Sequence, residues 1–309
     1  MANEFDLIAT HFAPLANAYG TFDLTNDAAA IVPAPGRALI VTSDTLISGI
    51  HFFAEDDPST LAHKALHVNL SDLAAMGAKP LSYSLCISLP SALEDAWIAS
   101  FAEGLKEAQT HAGVYLLGGD TTSTPGPLSI TVTAFGQARQ GTALTRAGAQ
   151  RGDVLVVSGT IGDAALYLRT KDEAFAARYH TPQARTVLGQ ALIGKASACL
   201  DISDGLLQDA QHIATHSDCH IHIKAAEVPL SHAAKERLQQ DASLRECVLT
   251  GGDDYELLFT ISEEMLAELR EEVECQLTVI GSCETGSGVS CVDENGQLLE
   301  FTHKGWQHR

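Results

Sequence analysis

Positive charge is scarce in this sequence. It has 19 Lys and Arg residues against 39 Asp and Glu residues, which gives a formal net charge of −20. A nucleic-acid-binding surface needs clustered Lys and Arg, so we expect no nucleic-acid partner. No apolar run approaches the roughly 20 residues of a membrane span, and residues 1–6 lack the basic segment of a signal peptide. We therefore expect a cytoplasmic protein that does not associate with membranes.

Paired cysteines are also absent. The seven cysteines are scattered, mostly within apolar stretches, and no Cys-x-x-Cys pair offers a zinc or redox site. This usage is typical of structural thiols in a reducing compartment. The length of 309 residues is enough for about two domains with their own cores.

The sequence does contain a set of aspartates placed just after or within apolar segments. They are Asp27, Asp44, Asp72, Asp120, Asp201 and Asp204. The apolar runs 38–41 and 114–117 lead into Asp44 and Asp120, so we expect these carboxylates at the ends of buried strands. Two carboxylates about 4 Å apart repel by roughly 4 kcal/mol at an effective dielectric of about 20, so converging aspartates need protons or divalent cations between them. The pattern predicts a site for several Mg²⁺ ions.

The first half of the chain reads as a sheet with helices. Residues 4–17 are expected to form one helix, and residues 61–73 form another on which Asn69 and Asp72 share a face. Strands are predicted where apolar and polar residues alternate, at 81–89 and 128–134.

The second half repeats the alternation of strands and helices. Strands are predicted at 154–157, 198–202, 220–223, 257–261 and 277–281, with helices near 206–215 and 263–272. The stretch 136–152 carries no core periodicity and marks a boundary. The sequence therefore predicts an α/β (α+β) fold with domains at residues 1–139 and 140–309.

Several local patterns allow two interpretations. The glycine turn at residues 159–162 follows a strand and precedes a helix, so its N–H groups could face a phosphate, although tight packing fits as well. His220 and His222 resemble a metal pair, but one solvated face of a strand also explains them. A lone aspartate at any of the positions above would most often be a helix cap or a turn residue.

Short motifs follow one another along nearly the whole chain. They are Val41-Thr-Ser-Asp44-Thr, Gly49-Ile-His51-Phe, Lys64-Ala-Leu with Val68-Asn-Leu-Ser-Asp72-Leu-Ala-Ala-Met-Gly-Ala78, Leu117-Gly-Gly-Asp120-Thr-Thr, Leu144-Thr-Arg146, Asp201-Ile-Ser-Asp204-Gly-Leu, Gly251-Gly-Asp253-Asp-Tyr-Glu-Leu257 and Gly305-Trp306-Gln-His308. In this order, the motifs resemble those of the thiamine-monophosphate kinase family, in the superfamily typified by aminoimidazole ribonucleotide synthetase.

The resemblance implies transfer of the γ-phosphoryl group of ATP to thiamine monophosphate, with several Mg²⁺ ions as cofactors. It implies metal ligands at Asp27, Thr42, Ser43, Asp44, Asp72, Asp120, Asp201 and Asp204. It implies ATP contacts at Gly119, Asp120, Arg146 and Ser203, catalytic roles for Asp44, Asp120 and Arg146, and a thiamine phosphate pocket at His51, Asp253 and Trp306. It also implies an N-terminal ATP- and Mg-binding domain whose mixed sheet pairs across a homodimer, followed by a C-terminal α/β sandwich.

Two positions depart from the family's usual pattern. The chain has Thr25-Asn26-Asp27 where the family usually has Gly-Asp-Asp, so one carboxylate is replaced by an amide and one negative charge is lost. Asp253 stands where Glu is common, and its shorter side chain keeps the charge.

The implied chemistry needs no general base. The acceptor is already a phosphate with a second pKa of about 6, so clustered metals and an arginine suffice through positioning and charge neutralisation. The absence of a Ser-His-Asp or Cys-His set is then expected. The alternatives are another ATP-dependent enzyme of the superfamily, or a non-catalytic nucleotide or divalent-cation sensor that needs no thiamine pocket. Trp306 either docks the end of the chain or stacks on the cationic thiamine rings.

Overall fold

The chain divides into two compact units. The computed structural model describes residues 4–18, 20–26, 28–303 and 305. The first unit comprises Met1–Leu73 and Ala78–Gly141, and the second comprises Ala74–Gly77 and Thr142–Arg309. Within the described ranges, no helix is both long enough and apolar enough to cross a membrane.

The first unit contains a mixed sheet with helices, as the sequence predicted. Its strands are β1 (Arg37–Ile47), β2 (Lys79–Pro90), β3 (Tyr115–Thr124) and β4 (Ser129–Arg139). The helices that begin in this unit are α1 (Glu4–Leu7), α2 (Pro58–Ala75) and α3 (Asp95–Ala112). The sheet order is β1-β4-β2-β3, in which β4 is antiparallel to both neighbours and β2 is parallel to β3. The two edges of the sheet are therefore β1 and β3.

One face of this sheet is buried and the other is partly open. Along β4, Ile130, Val132 and Ala134 are buried, whereas the residues between them are only partly covered. This is the period of two that the sequence alternation predicted. On the edge strand β1, Leu39 and Val41 are 38% and 52% exposed. An exposed apolar edge strand is a template for pairing with another chain.

The prediction of one helix over residues 4–17 is wrong. The helix α1 ends at Leu7, a π-helical turn follows over Ile8–Phe12, and a 3-10 turn covers Ala13–Leu15. Pro14 explains the change, because its ring removes a backbone N–H donor and clashes with the preceding helical turn. The segment therefore bends where a regular helix would have continued.

The strands that carry Asp44 and Asp120 run further than the sequence suggested, so neither carboxylate lies at a strand end. The pairing of β1 with β4 continues to Ile47, and the pairing of β3 with β2 continues to Thr124. The residues that follow are Thr-Leu-Ile after Asp44 and Thr-Thr-Ser-Thr after Asp120. Their β-branched side chains suit a pleated strand, and an available partner extends the ladder through them. Both aspartates therefore lie inside edge strands.

The second unit contains a six-stranded sheet between layers of helices. Its strands are β5 (Val154–Ser158), β6 (Ala198–Asp201), β7 (His220–Lys224), β8 (Leu257–Ile261), β9 (Leu277–Glu284) and β10 (Gly288–Val292). Its helices are α4 (Asp163–Thr170), α5 (Ala176–His180), α6 (Thr186–Leu192), α7 (Leu206–Ser217), α8 (His232–Gln240), α9 (Arg245–Thr250) and α10 (Glu263–Glu272). The sheet order is β10-β7-β9-β5-β8-β6, and its pairs are antiparallel except for β10 with β7.

Apolar side chains project from both faces of this sheet. On one face, Leu200 and Leu258 pack in a core with Ile213 of α7. On the other face, Phe259 packs in a second core with Leu266 of α10. Strands buried on both faces are continuous apolar runs, which is why β5 and β8 lack alternation in the sequence. This is the α/β sandwich that the sequence predicted.

Two segments leave the sheet at the same end. Strand β6 is antiparallel to β8, with Asp201 opposite Leu257. The acidic turn (residues 201–205) follows β6 and leads into α7, and the GGDDYE loop (residues 251–256) leads into β8. The topology therefore places these two motifs side by side.

Candidate functional site

Three of the predicted metal residues lie together between β1 and α2. The Oγ1 of Thr42 donates a hydrogen bond to Oδ2 of Asp72 at 2.6 Å, and the backbone N–H of Asp44 donates to Oδ1 of Asn69 at 3.0 Å. The Nδ2 of Asn69 donates to the carbonyl of Ala65 at 3.1 Å, which fixes the orientation of the amide. Asn69 and Asp72 share one face of α2, as predicted, so the helix presents both oxygens to β1.

Ser43 lies between two of these residues in sequence but faces the other side of the sheet. Its Oγ is 3.3 Å from the carbonyl oxygen of Val132 and 2.9 Å from Oγ1 of Thr133. Successive side chains of a strand point to opposite faces, so the Ser43 side chain cannot share an ion with those of Thr42 and Asp44. A metal contact at Ser43 stays a prediction, and the contact would have to come from the main chain of Ser43.

Asp120 lies on β3, the edge of the sheet opposite β1. Strands β4 and β2 stand between the two edges, and Asp120 is in register with Cys86 of β2. In the part of the chain that the structure describes, no three His, Cys, Asp or Glu side chains are grouped so that they could hold a metal ion. The expected convergence of the aspartates is therefore seen only in part.

A cavity of about 340 Å³ opens beside Asp120. Its walls include Gly119 and Asn26 on the polar side, and Phe12 and Leu85 among the apolar residues. The main chain of β3 approaches β2 closely here, because a Cβ at Gly119 would lie 1.7 Å from the carbonyl oxygen of Leu85. Only glycine fits this position, so the cavity depends on Gly119.

In the second unit, the acidic turn and the GGDDYE loop are joined by backbone hydrogen bonds. The N–H of Ile202 donates to the carbonyl of Glu256 at 2.8 Å, and the N–H of Tyr255 donates to the carbonyl of Ile202 at 2.8 Å. The N–H of Asp253 donates to the carbonyl of Ser203 at 2.9 Å. These bonds extend the pairing of β6 with β8 and bring Ser203 and Asp253, both predicted site residues, into direct contact.

The GGDDYE loop has an unusual backbone. Asp253 and Tyr255 have φ values of 75° and 53°, in the left-handed region that side chains other than glycine rarely adopt. Asp254 between them is buried, and its Oδ1 accepts a hydrogen bond from the N–H of Gly162 at 2.7 Å. Burial raises the pKa of Asp254 well above its usual range. Arg178 donates to the carbonyl of Asp254 at 3.1 Å, so the strained backbone is held from several sides.

A residue that sequence reasoning missed, Asp209, holds the acidic turn from behind. Its Oδ2 accepts hydrogen bonds from the N–H groups of Ser203, Asp204 and Gly205 at 3.1, 3.1 and 3.2 Å. Burial raises the pKa of Asp209 to about 7 and the Asp204 carboxylate also raises it, whereas the N–H groups of Asp204 and Ser203 and the Arg146 guanidinium lower it. An aspartate in the first turn of a helix is a known signal for such a role, and it could have been found.

Arg146 lies within electrostatic reach of the acidic turn. Its guanidinium lowers the pKa of Asp209. Burial lowers the pKa of His212, Arg146 and His216 lower it further, and Asp204 raises it. Arg146 and Asp204 therefore both act on Asp209 and on His212, a neighbour that the sequence did not reveal.

The GGDDYE loop ends at a buried carboxylate, Glu256. It accepts hydrogen bonds from Nη2 of Arg178 at 2.5 Å, from Nε of Arg185 at 2.6 Å and from Oγ of Ser158 at 2.5 Å. The hydrogen bond to Glu256 raises the pKa of Arg185. The sequence analysis assigned no role to any of these four residues, because their side chains come from separate parts of the chain.

His51 and Asp201 have well-defined surroundings. The Nδ1 of His51 accepts a hydrogen bond at 3.0 Å from the backbone N–H of Ile47 at the end of β1, so the ring lies in the first unit beside that strand. Asp201 is buried at the end of β6, in the second unit. The structure places each of them next to an element that carries other predicted site residues.

Two predicted site residues, Asp27 and Trp306, lie outside the described residues. Gly305, which precedes Trp306 in sequence, lies beside the acidic turn: a Cβ there would be 2.4 Å from the Cβ of Gln208 and 2.8 Å from the carbonyl oxygen of Asp204. Roles for Asp27 and Trp306 stay predictions.

Proteins of known sequence resemble this chain over its whole length. Residues 25–138 match the family described as AIR synthase related protein, N-terminal domain. Thiamine-monophosphate kinase of Caulobacter vibrioides is 38% identical over 319 residues, and the match covers 99% of this chain and 90% of that protein.

Solved structures resemble it as closely. Thiamine-monophosphate kinase from Stenotrophomonas maltophilia has a TM-score of 0.82 and 42% sequence identity, over 89% of this chain and 91% of that one. AaThiL complexed with AMPPCP and TMP has a TM-score of 0.80 and 32% identity, over 99% of this chain and 97% of that one. The chain belongs to the thiamine-monophosphate kinase family.

Proposed function

We propose that this chain transfers the γ-phosphoryl group of ATP to thiamine monophosphate and forms thiamine diphosphate. The observation that carries the proposal is the 2.9 Å hydrogen bond between the N–H of Asp253 and the carbonyl of Ser203. It joins the loop expected to hold the acceptor to the turn expected to hold ATP. AaThiL, which is similar over nearly the whole chain, forms a complex with AMPPCP, an analogue of ATP, and with TMP.

The residues of the second unit suit a transfer between two phosphate groups. The acceptor phosphate is largely ionised at neutral pH, since its second pKa is about 6, so no side chain has to remove a proton. Arg146 is the cation beside the acidic turn and would offset negative charge on the transferred group. Ser203 and Asp253 would hold donor and acceptor at a fixed separation, which is the main contribution of a protein to such reactions.

The oxygen donors of the first unit suit Mg²⁺. Thr42, Asp72 and Asn69 offer hydroxyl, carboxylate and amide oxygens where β1 and α2 are joined by hydrogen bonds, and Mg²⁺ prefers oxygen ligands. The proposed ligands are Asp27, Thr42, Ser43, Asp44, Asp72, Asp120, Asp201 and Asp204. When bound at these residues, Mg²⁺ would supply positive charge that offsets the negative charge of the phosphates.

The cavity beside Asp120 suits the base of ATP. Its volume of about 340 Å³ lies at the lower end of the range for small-molecule sites. Phe12 and Leu85 offer apolar contact to a flat ring, and Asn26 offers an amide. Phosphates that extend from this cavity would lie near Asp120 and Gly119, where the sequence predicts ATP and Mg²⁺ contacts.

The open edge of the first unit supports a homodimer. The strand β1 lies at an edge of the described sheet, and Leu39 and Val41 are exposed on it. Pairing with a second copy would bury these side chains. Sedimentation of the wild type and of Val41→Lys at equal concentration tests this arrangement. We place the enzyme in the cytoplasm, where its substrate ATP is made.

Formation of ADP is the direct test of the activity. The purified chain is incubated with ATP and Mg²⁺ and with thiamine monophosphate, thiamine or no acceptor. We expect ADP and an equal amount of thiamine diphosphate with thiamine monophosphate alone. Nucleotide binding without ADP would indicate a sensor, and turnover only with a different acceptor would indicate another enzyme of the superfamily.

A variant at Asp72 tests the metal site. Asp72→Asn keeps the size of the side chain and the oxygen that accepts the hydrogen bond from Thr42, but it removes the charge. We therefore expect the Mg²⁺ concentration at half-saturation to rise at least about tenfold. Asp56→Asn is the matched control in the same unit, since Asp56 Oδ2 accepts the N–H of Phe53 in a turn.

A further inference from the structure

The helix α7 begins without a capping side chain of its own. Its N-cap residue is Gly205, and helix N-termini leave backbone N–H groups without partners inside the helix. Asp209, which is 3% exposed and lies in the first turn of the helix, instead accepts N–H groups at and before this N-cap. Its Oδ2 collects the N–H groups of Ser203, Asp204 and Gly205. One oxygen therefore shapes three consecutive residues of the acidic turn.

The acidic turn has little room to adopt another path. A Cβ at Gly205, where φ is +116°, would lie 2.4 Å from the carbonyl oxygen of Thr250. A Cβ at Gly252 would lie 2.0 Å from the carbonyl oxygen of Ser203. The turn is thus pressed against the GGDDYE loop on one side and held by Asp209 on the other.

We propose that Asp209 is a positioning residue for phosphoryl transfer: it fixes the acidic turn so that Ser203 is placed for the nucleotide and Asp204 for its metal, while its own carboxylate stays buried behind them. The inference rests on the proposed function. Because the carbonyl of Ser203 also receives the N–H of Asp253, a shift of the turn reaches the acceptor side as well.

Both the shape and the charge of Asp209 contribute to this role. An asparagine keeps one oxygen at the position of Oδ2 and could still accept the three N–H groups, but it loses the negative charge that favours a helix N-terminus. An alanine loses the oxygen too, and three N–H groups are then left without their partner. The two variants therefore separate placement of the turn from its electrostatics.

The experiment measures nucleotide binding and turnover on the full chain. Asp209→Asn and Asp209→Ala are compared with wild type by calorimetric titration of Mg²⁺ and AMPPCP, by thermal melting, and by kcat and KM for both substrates. A displacement of about 1 Å costs on the order of 100-fold, so we expect that loss in kcat/KM for the alanine variant and about tenfold for the asparagine variant. Binding of AMPPCP should be weaker in the asparagine variant than in wild type, and weakest in the alanine variant.

Asp293 provides the matched control. Its Oδ1 accepts the N–H groups of Asn295 and Gln297 at 2.9 and 2.8 Å in a turn of the same unit, away from the acidic turn. Asp293→Asn and Asp293→Ala should leave binding and turnover within twofold of wild type.

Several outcomes would overturn the inference. One is wild-type AMPPCP binding and kcat/KM in a folded Asp209→Asn or Asp209→Ala variant. Another is a loss that follows the folded fraction alone, with KM and kcat unchanged per folded molecule. If the alanine variant does not fold, the asparagine variant decides. If wild type binds AMPPCP but forms no ADP, weaker binding in the Asp209 variants still supports positioning, and the proposed reaction alone fails.

Discussion

The buried carboxylate of Glu256 allows a sharp prediction about stability. Glu256 is completely buried, and it receives hydrogen bonds from Arg178, Arg185 and Ser158. Glu256→Gln keeps the size of the side chain but replaces one charged oxygen with an NH₂ group, which would face N–H donors. The two guanidinium groups would then lose the carboxylate that they share.

The size of the effect follows from the burial of the partners. Removal of one member of a buried ion pair costs about 3–5 kcal/mol. The side chains of Arg178 and Arg185 are 19% and 26% exposed, so water can solvate them in part. We therefore expect Glu256→Gln to lower the free energy of unfolding by about 3 kcal/mol, the lower end of this range. In a unit of this size, each kcal/mol shifts the midpoint by about 2–4 °C, so Tm should fall by about 6–12 °C.

Calorimetric melting of Glu256→Gln beside Glu272→Gln checks this reasoning. Glu272 pairs with Lys195 at 2.7 Å, but its side chain is 50% exposed, so the control should change stability by at most about 1 kcal/mol. A fall in Tm of under about 2 °C for Glu256→Gln, or one equal to the control, would refute the argument that the buried charge stabilises the second unit.

Three further predictions concern the cavity, the pH range and the acceptor. Gly119→Ala should abolish AMPPCP binding measured by calorimetry, because its Cβ would lie 1.7 Å from a carbonyl oxygen of β2, whereas Gly126→Ala, whose Cβ would meet only the Thr124 side chain at 3.3 Å, should bind normally. Burial and two neighbouring histidines lower the pKa of His67 to about 3, so its contribution to stability is complete above about pH 6.5 and is lost as pH falls towards 3. Urea unfolding at pH 7 and 5 should show a loss of stability that is about 2 kcal/mol smaller in His67→Leu than in wild type, because His63, whose pKa is lowered to about 4, still contributes to the loss in both proteins, and equal losses would contradict it. Trp306→Ala should raise KM for thiamine monophosphate about tenfold and leave KM for ATP unchanged, and equal changes would indicate a docking role.

Local periodicity was sufficient to predict five strands of the second unit, but not β10 or the helices α8 and α9. The strand and helix predicted at 257–261 and 263–272 coincide with β8 and α10. An apolar run and an amphipathic segment follow each other there, separated by the cap Ser262, which accepts the N–H of Met265. The prediction of a helix over residues 4–17 failed because the apolar spacing continues through Pro14, whose ring forbids a regular helix.

Strand order and extent could not be predicted from local pattern. The aspartates of β1 and β3 looked equivalent in sequence, yet the sheet places these strands at opposite edges. The end of each strand depends on its partner: β1 continues past Asp44 because β4 is long enough to pair with it. Neither fact is encoded within a short window.

The group formed by Thr42, Asn69 and Asp72 shows which part of a site is local. Helix periodicity alone put Asn69 and Asp72 on one face, and the structure agrees. Glu256 shows the opposite case, since its partners Ser158 and Arg185 lie 98 and 71 residues away. Only the folded chain reveals such partners.

The hydrogen bonds that link the acidic turn to the GGDDYE loop can form only after β8 has been synthesised. They extend the β6–β8 ladder, and the left-handed residues Asp253 and Tyr255 are held in place by it. During synthesis, the acidic turn leaves the ribosome well before β8, with α7, β7, α8 and α9 still to follow. A nascent chain that ends before β8 therefore carries Asp201, Ser203 and Asp204 but lacks the strand that pairs with β6, so we expect the proposed phosphoryl transfer to become possible only when β8 inserts into the sheet.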